Sequence, residues 1–181
     1  MRVVLVLVLA VLAMASAHAV PCWEHAAQRY GIAPELLRAM AHIESNLDAS
    51  AVNRRHQKRT RSYDIGLMQI NSRHLPQLAR HGIQEADLYD ACTNLQVGAW
   101  LLADLFARHG VNWQAVGAYN AACNALQGDA CVRARATYAW RVYRHLPVDA
   151  SLGNASNAVK PAKAQDIVLV RPQALSVRVT P

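Results

Sequence analysis

Four cysteines, Cys22, Cys92, Cys123 and Cys131, constrain this chain more than any other feature, because two cross-links dictate which distant segments are neighbours. Four cysteines allow three pairings. Cys123 and Cys131 are close in sequence and are read as closing a local loop, which leaves Cys22 to pair with Cys92. That reading requires an oxidising compartment, where an even count argues for disulfides over free buried thiols. Zinc is disfavoured, since there is no CxxC or HExxH pattern and the histidines are scattered. Neither a metal nor a cofactor is expected.

The first residues point to such a compartment. Arg2 precedes an apolar run over 3–14, and Ala17 and Ala19 supply the small residues of a signal-peptidase site, so cleavage is expected after Ala19. The run falls short of the ~20 apolar residues that span a bilayer, which disfavours a retained anchor. Pro21 beside Cys22 does not suit a lipoprotein signal. The expected location is therefore periplasmic or secreted, with 1–19 as leader. Removing Arg2 with it leaves 18 basic and 12 acidic side chains, a net charge of about +6. That sign favours an anionic partner. Nucleic acid is the weak option, because no recognition motif accompanies the charge and the chain is read as exported.

The segment 20–146 is long enough for one domain with one core and reads as mainly helical. Helices are expected over 22–30, ended by Gly31, and from Pro34 at a first helical position to about Ser45. Residues 46–64 lack helical period and read as loop with at most a small hairpin. Further helices are expected over 72–81, 94–109 and 113–119, the last capped by Asn112. A final helix capped by Asp129 would run to about Leu146 with Val132, Ala136, Ala139, Val142 and Tyr143 inward. Beyond Pro147 the composition turns to Ala, Ser, Asn, Val and Pro, and 147–181 is expected to lack fixed structure apart from strand-like stretches at 167–170 and 175–179.

Leu37, Met40, Ala41 and Glu44 fall at i, i+3, i+4 and i+7, so an acid shares a helix face with core-type residues. Desolvation and the partial negative charge of the helix C-terminus both oppose its ionisation and raise its pKa. A carboxyl kept protonated near neutrality is what a general acid needs. On this pattern alone, a Glu facing solvent at a frayed helix end fits equally well.

Motifs elsewhere add to it. Glu44-Ser45, Gly66-Leu67-Met68-Gln69-Ile70 and Ala118-Tyr119-Asn120-Ala121, in that order, followed by Tyr138, resemble the motifs of the soluble lytic transglycosylase domain family. The nearest likeness is to its small secretion-, conjugation- and pilus-associated members. The resemblance implies a lysozyme-like, mainly α fold with little or no sheet and a groove for peptidoglycan glycan strands. Glu44 would act as acid and then base, forming a 1,6-anhydromuramic end. Ser45, Met68, Gln69, Tyr119, Asn120 and Tyr138 would bind substrate or support the acid. The chain would act as a monomer, with components of a secretion, conjugation or pilus machine as further partners.

Three departures stand out. Ala122 replaces the glycine usual after Tyr-Asn-Ala, with Cys123 next to it. The stretch 54–61 is longer and more basic than the resemblance leads one to expect and is read either as a solvated loop or as a surface for anionic wall polymer. Asp64 is either a second carboxylate or a loop-stabilising acid. Two other functions share the scaffold: hydrolysis, as in a goose-type muramidase, and non-catalytic glycan binding in an assembly.

Overall fold

The computed structural model describes residues 21–123 and 125–147. The expected leader over 1–19 and the tail beyond Pro147 lie outside the described residues. The chain is mainly α. Helix α1 spans Pro21–Tyr30 and ends at Gly31, whose φ of 63° suits a residue without a Cβ. Helix α2, Pro34–Ser45, starts with proline in its first turn and stops where Asn46 turns left-handed and its N–H reaches the carbonyls of Ala41 and His42.

The stretch after α2 holds more structure than its lack of period predicted. Strands β1 (Val52–Asn53), β2 (Asp64–Ile65) and β3 (Ile70–Asn71) form an antiparallel sheet in the order β1-β2-β3, pairing Asn53 with Asp64 and Asp64 with Asn71. A one-turn helix α3, Gln57–Thr60, lies between β1 and β2. Residues 66–69 are the turn of the β2–β3 hairpin, closed by the Gln69 N–H on the Gly66 carbonyl.

The helix expected over 72–81 is broken. A 3-10 turn at Ser72–His74, capped by the Asn71 side chain, leads into the short α4, Leu75–Ala79. A second 3-10 turn, Glu85–Tyr89, precedes α5, Ala91–His109. Asp90 caps α5 by accepting from the Thr93 N–H. Helix α6, Trp113–Asn120, takes its cap from Asn112, as expected.

Helix α7 spans Gly128–Tyr143 and departs from expectation in two ways. Its N-cap position is Gln127, so Asp129 lies inside the first turn. Val132 and Ala136 are exposed; the buried residues are Tyr138, Ala139 and Val142. The reason is tertiary: the first half of α7 crosses α6, where a Cβ on Gly117 would collide with the Arg135 backbone, and only the second half reaches the core. That core gathers Leu37, Met40, Ile65, Met68, Leu95, Leu102, Tyr138 and Val142 from α2, the hairpin, α5 and α7. Each fully buried aliphatic there contributes about 2 kcal/mol through removal of apolar surface from water.

Cys22 bonds Cys92 with Cα atoms 5.3 Å apart, joining α1 to the start of α5. Cys123 bonds Cys131 at 5.5 Å, joining the loop after α6 to α7. Both pairings match the expected ones. Among the described residues no helix is long and apolar enough to cross a membrane.

Candidate active site

Leu37, Met40 and Ala41 are wholly buried, and their face of α2 carries Glu44 to the floor of a cleft of about 700 Å³. The hairpin contributes Asp64, Gln69 and Asn71, α6 contributes Tyr119 and Asn120, and α5 contributes Leu101 and Leu105. Residues far apart in sequence thus converge on one carboxyl.

The electrostatics of Glu44 follow from where it sits. Burial pushes its pKa up to about 7. The Tyr138 hydroxyl, donating to Oε1 at 2.5 Å, pulls the other way, the negative charge of Asp64 adds to the rise, and Arg141 offsets part of it. Glu44 therefore keeps a substantial protonated population near neutral pH. Tyr138 is itself buried, and burial together with the neighbouring carboxylate drives its pKa well above the usual phenol value. It is a fixed donor that orients Glu44.

Asp64 is held differently. It accepts from Asn71 Nδ2 at 2.7 Å and Asn53 Nδ2 at 3.3 Å, and pairs with His56 Nε2 at 2.7 Å. His56 is braced in turn by Thr60 Oγ1. The aspartate faces the cleft yet is saturated by three side chains that knit the sheet and α3 together, the arrangement of a loop-stabilising acid.

Of the residues singled out by the motifs, Glu44, Gln69, Tyr119 and Asn120 line the cleft. Three others are placed otherwise. Met68, expected in the groove, is fully buried: its side chain packs against Gly98, its N–H donates to Asn94, and its carbonyl accepts from the Tyr119 hydroxyl at 3.0 Å. Ser45 does not reach the acid; its hydroxyl donates to the Leu67 carbonyl at 2.7 Å and ties the end of α2 to the hairpin turn. Tyr138 stands behind Glu44 and is absent from the cleft lining. The tyrosine bonded to Glu44 is thus Tyr138, while Tyr119, which lines the cleft, braces the hairpin turn through the Met68 carbonyl. The Gln69 Nε2 donates to the Gly66 and Ala51 carbonyls, which fixes the side chain, and its backbone adopts a left-handed φ of 48°.

One residue escaped the motif reading altogether. Asn94 is fully buried, accepts from the Met68 N–H at 2.7 Å, and donates to the carbonyls of Ile65 at 2.9 Å and Leu88 at 2.7 Å. It locks the Gly66 turn from beneath. Gly66 has φ of 74°, and a Cβ there would strike both the Asn94 amide and the Leu88 carbonyl. The signal lay in the helical period: Asn94, Gly98 and Leu102 recur at i, i+4 and i+8 on one buried face, so a polar residue begins an apolar stripe. Among the described residues no group of three or more His, Cys, Asp or Glu side chains is placed to hold a metal.

A mainly helical domain with a buried Glu of raised pKa at the base of an open cleft belongs to the lysozyme-like class. Residues 21–135 match the model of the transglycosylase SLT domain, and the chain belongs to that family. Its fold is the lysozyme-like one of these domains. It is 41% identical over 127 residues to the invasion protein IagB of Salmonella typhimurium, covering 69% of this chain and 76% of that protein. It is 40% identical over 128 residues to a protein of Escherichia coli named X polypeptide, covering 70% and 73% respectively. A third relative, a peptidoglycan-binding-like protein of Escherichia coli, is 40% identical over 105 residues, covering 55% of this chain and 63% of its own length. The family indicates glycan cleavage of the lytic transglycosylase type with peptidoglycan as substrate.

Proposed function

We propose that this chain cleaves the β-1,4 bond between N-acetylmuramic acid and N-acetylglucosamine without water, with Glu44 as both acid and base. Protonated Glu44 gives its proton to the glycosidic oxygen as the bond to the muramic C1 breaks, releasing N-acetylglucosamine as an alcohol. The resulting carboxylate takes the proton of the muramic C6 hydroxyl while O6 bonds to C1. A 1,6-anhydro ring forms, and the proton is back where it began. A group with pKa near 7 suits both half-reactions, since it neither holds nor releases the proton too readily. The raised pKa of Glu44 on the cleft floor is the observation that carries the reading. Asp64, fully engaged by Asn53, His56 and Asn71, is poorly placed to activate a water, which favours this route over muramidase-type hydrolysis.

The likeness to an invasion protein supports local wall remodelling for a secretion, conjugation or pilus apparatus, and the leader-like first 19 residues support export. Digestion of purified sacculi by the wild type and by Glu44→Gln, with mass spectrometry of the products, tests the reaction. Anhydromuramic ends from the wild type are expected, with a loss of about a thousandfold in the variant. Reducing muramic ends as the main product would establish hydrolysis instead, and a fully active Glu44→Gln would remove the acid from its role. N-terminal sequencing of the exported chain should begin at Val20.

A further inference from the structure

Among the basic residues of the stretch 54–61, only some are engaged by the fold, and one of the others reaches the cleft. Arg54 lies over the Tyr63 ring at 4.3 Å, and Arg61 closes α3 in a left-handed conformation, its N–H on the Gln57 carbonyl. Arg59 projects to the cleft. Arg73 is tied to the same segment, its Nη2 donating to the Thr60 carbonyl at 2.5 Å, and also lines the cleft. The next residue, His74, lies in the field of Asp104, which brings this wall to the last turns of α5 and to Arg108. Arg59, Arg73 and Arg108 thus all line the cleft, as does Arg135, whose Nε is spent on the Ala121 carbonyl at 3.1 Å.

Among the described residues, the charges of Arg59 and Arg73 have no acidic partner: the ion pairs are Arg38–Glu24, His56–Asp64 and Arg108–Asp104. The Arg108–Asp104 pair is more than half exposed on both sides, so it is weak and readily exchanged. The cleft's own acids offer little more: burial keeps part of the Glu44 population uncharged near neutral pH, and Asp64 is already held by Asn53, His56 and Asn71. The N-acetylated sugar rings of a glycan strand are neutral and need no such wall. The strand's negative charges are carboxylates, on the lactyl group of bare muramic acid or along an attached stem peptide. Guanidinium groups match carboxylates in shape and charge.

We propose that Arg59, Arg73 and Arg108 form a carboxylate-reading wall that makes the cleft select strands by the anionic groups they carry. The proposal rests on the glycan-strand reading of the cleft and names the feature of the strand that this chain recognises. It acts on binding, so its loss falls in KM rather than kcat.

Three probes separate the sources: strands bearing stem peptides, the same strands stripped by an amidase so that the lactyl carboxylate is free, and a neutral N-acetylglucosamine hexamer. In Arg59→Gln/Arg108→Gln, KM for carboxylate-bearing strands should rise about tenfold and lose most of its dependence on salt. Arg59→Lys should keep the charge and much of the binding. Hexamer binding should stay within about twofold. A loss confined to stripped strands assigns the lactyl carboxylate as ligand, a loss confined to stem-bearing strands assigns the stem, and equal losses mean that the wall reads either carboxylate. A loss of the same size on the neutral hexamer, or no change on any strand by a variant whose melting temperature is preserved, overturns the wall. Co-sedimentation with strands in the Glu44→Gln background reads the same contrast without turnover. A wild type that binds strands through Arg59 and Arg108 yet cleaves none would sink the lytic reading alone.

Discussion

At the scale of single residues, the burial that suits Glu44 to donate a proton costs the fold stability once that proton is lost. Its folded pKa of about 7 lies above the ordinary 4.5, so the native state holds the proton more tightly than the unfolded chain. Stability is therefore greatest below pH 4.5 and falls as pH rises toward 7. The shift corresponds to about 3 kcal/mol, an upper figure because the carboxyl opens onto the cleft. Glu44→Gln removes that penalty while leaving an oxygen for Tyr138. The variant should melt higher than the wild type at pH 8 and level with it at pH 4, as thermal scans at the two pH values would register. A variant no more stable at pH 8 would mean the carboxyl is not desolvated. For the same reason, cleavage should decline along an alkaline limb near pH 7. Tyr138→Phe deletes the donor that favours the ionised form, so that limb should move to higher pH in a rate profile. A limb that moved down would contradict the assigned direction.

At the scale of elements, the hairpin turn and the α5 helix beneath it form one unit held by Asn94. Asn94→Ala leaves one N–H and two carbonyls buried without their partner and should cost about 3 kcal/mol. Gly66→Ala adds positive-φ strain and a collision with Asn94 and Leu88, and should cost at least as much. Denaturant unfolding would measure both, and a loss below about 1 kcal/mol for Asn94→Ala would show that the turn does not depend on this clamp. How much of this was legible depends on the range of the cause. The helix stops at Gly31 and Gly110 and the Asn112 cap are local, and they stood in the residue pattern. So did the burial of the Leu37, Met40 and Ala41 face under Glu44, a matter of period within one helix. Val132 and Ala136 misled because their exposure depends on where α7 crosses α6, a tertiary fact. Met68 and Ser45 misled in another way: a motif marks residues the site depends on, and these two serve it through backbone contacts on the buried side of the turn.

At the scale of the whole molecule, the two cross-links differ in reach. Cys22–Cys92 spans 70 residues and Cys123–Cys131 spans 8, so loop-closure entropy assigns about 4 and 2.5 kcal/mol respectively. Replacing each pair by serine and measuring melting temperatures should give the larger drop for Cys22–Cys92, and the reverse order would show that the shorter loop organises more than its own length. The lining of the cleft carries a further consequence. Tyr119 is already anchored on Met68, Gln69 on Gly66 and Ala51, and Asp64 on three neighbours, so the mould is set before any sugar arrives. A strand sliding in would find little left to freeze, and free and occupied forms should overlay to within about 1 Å along the backbone. Capture would then be paced by threading a stiff polymer into a fixed slot.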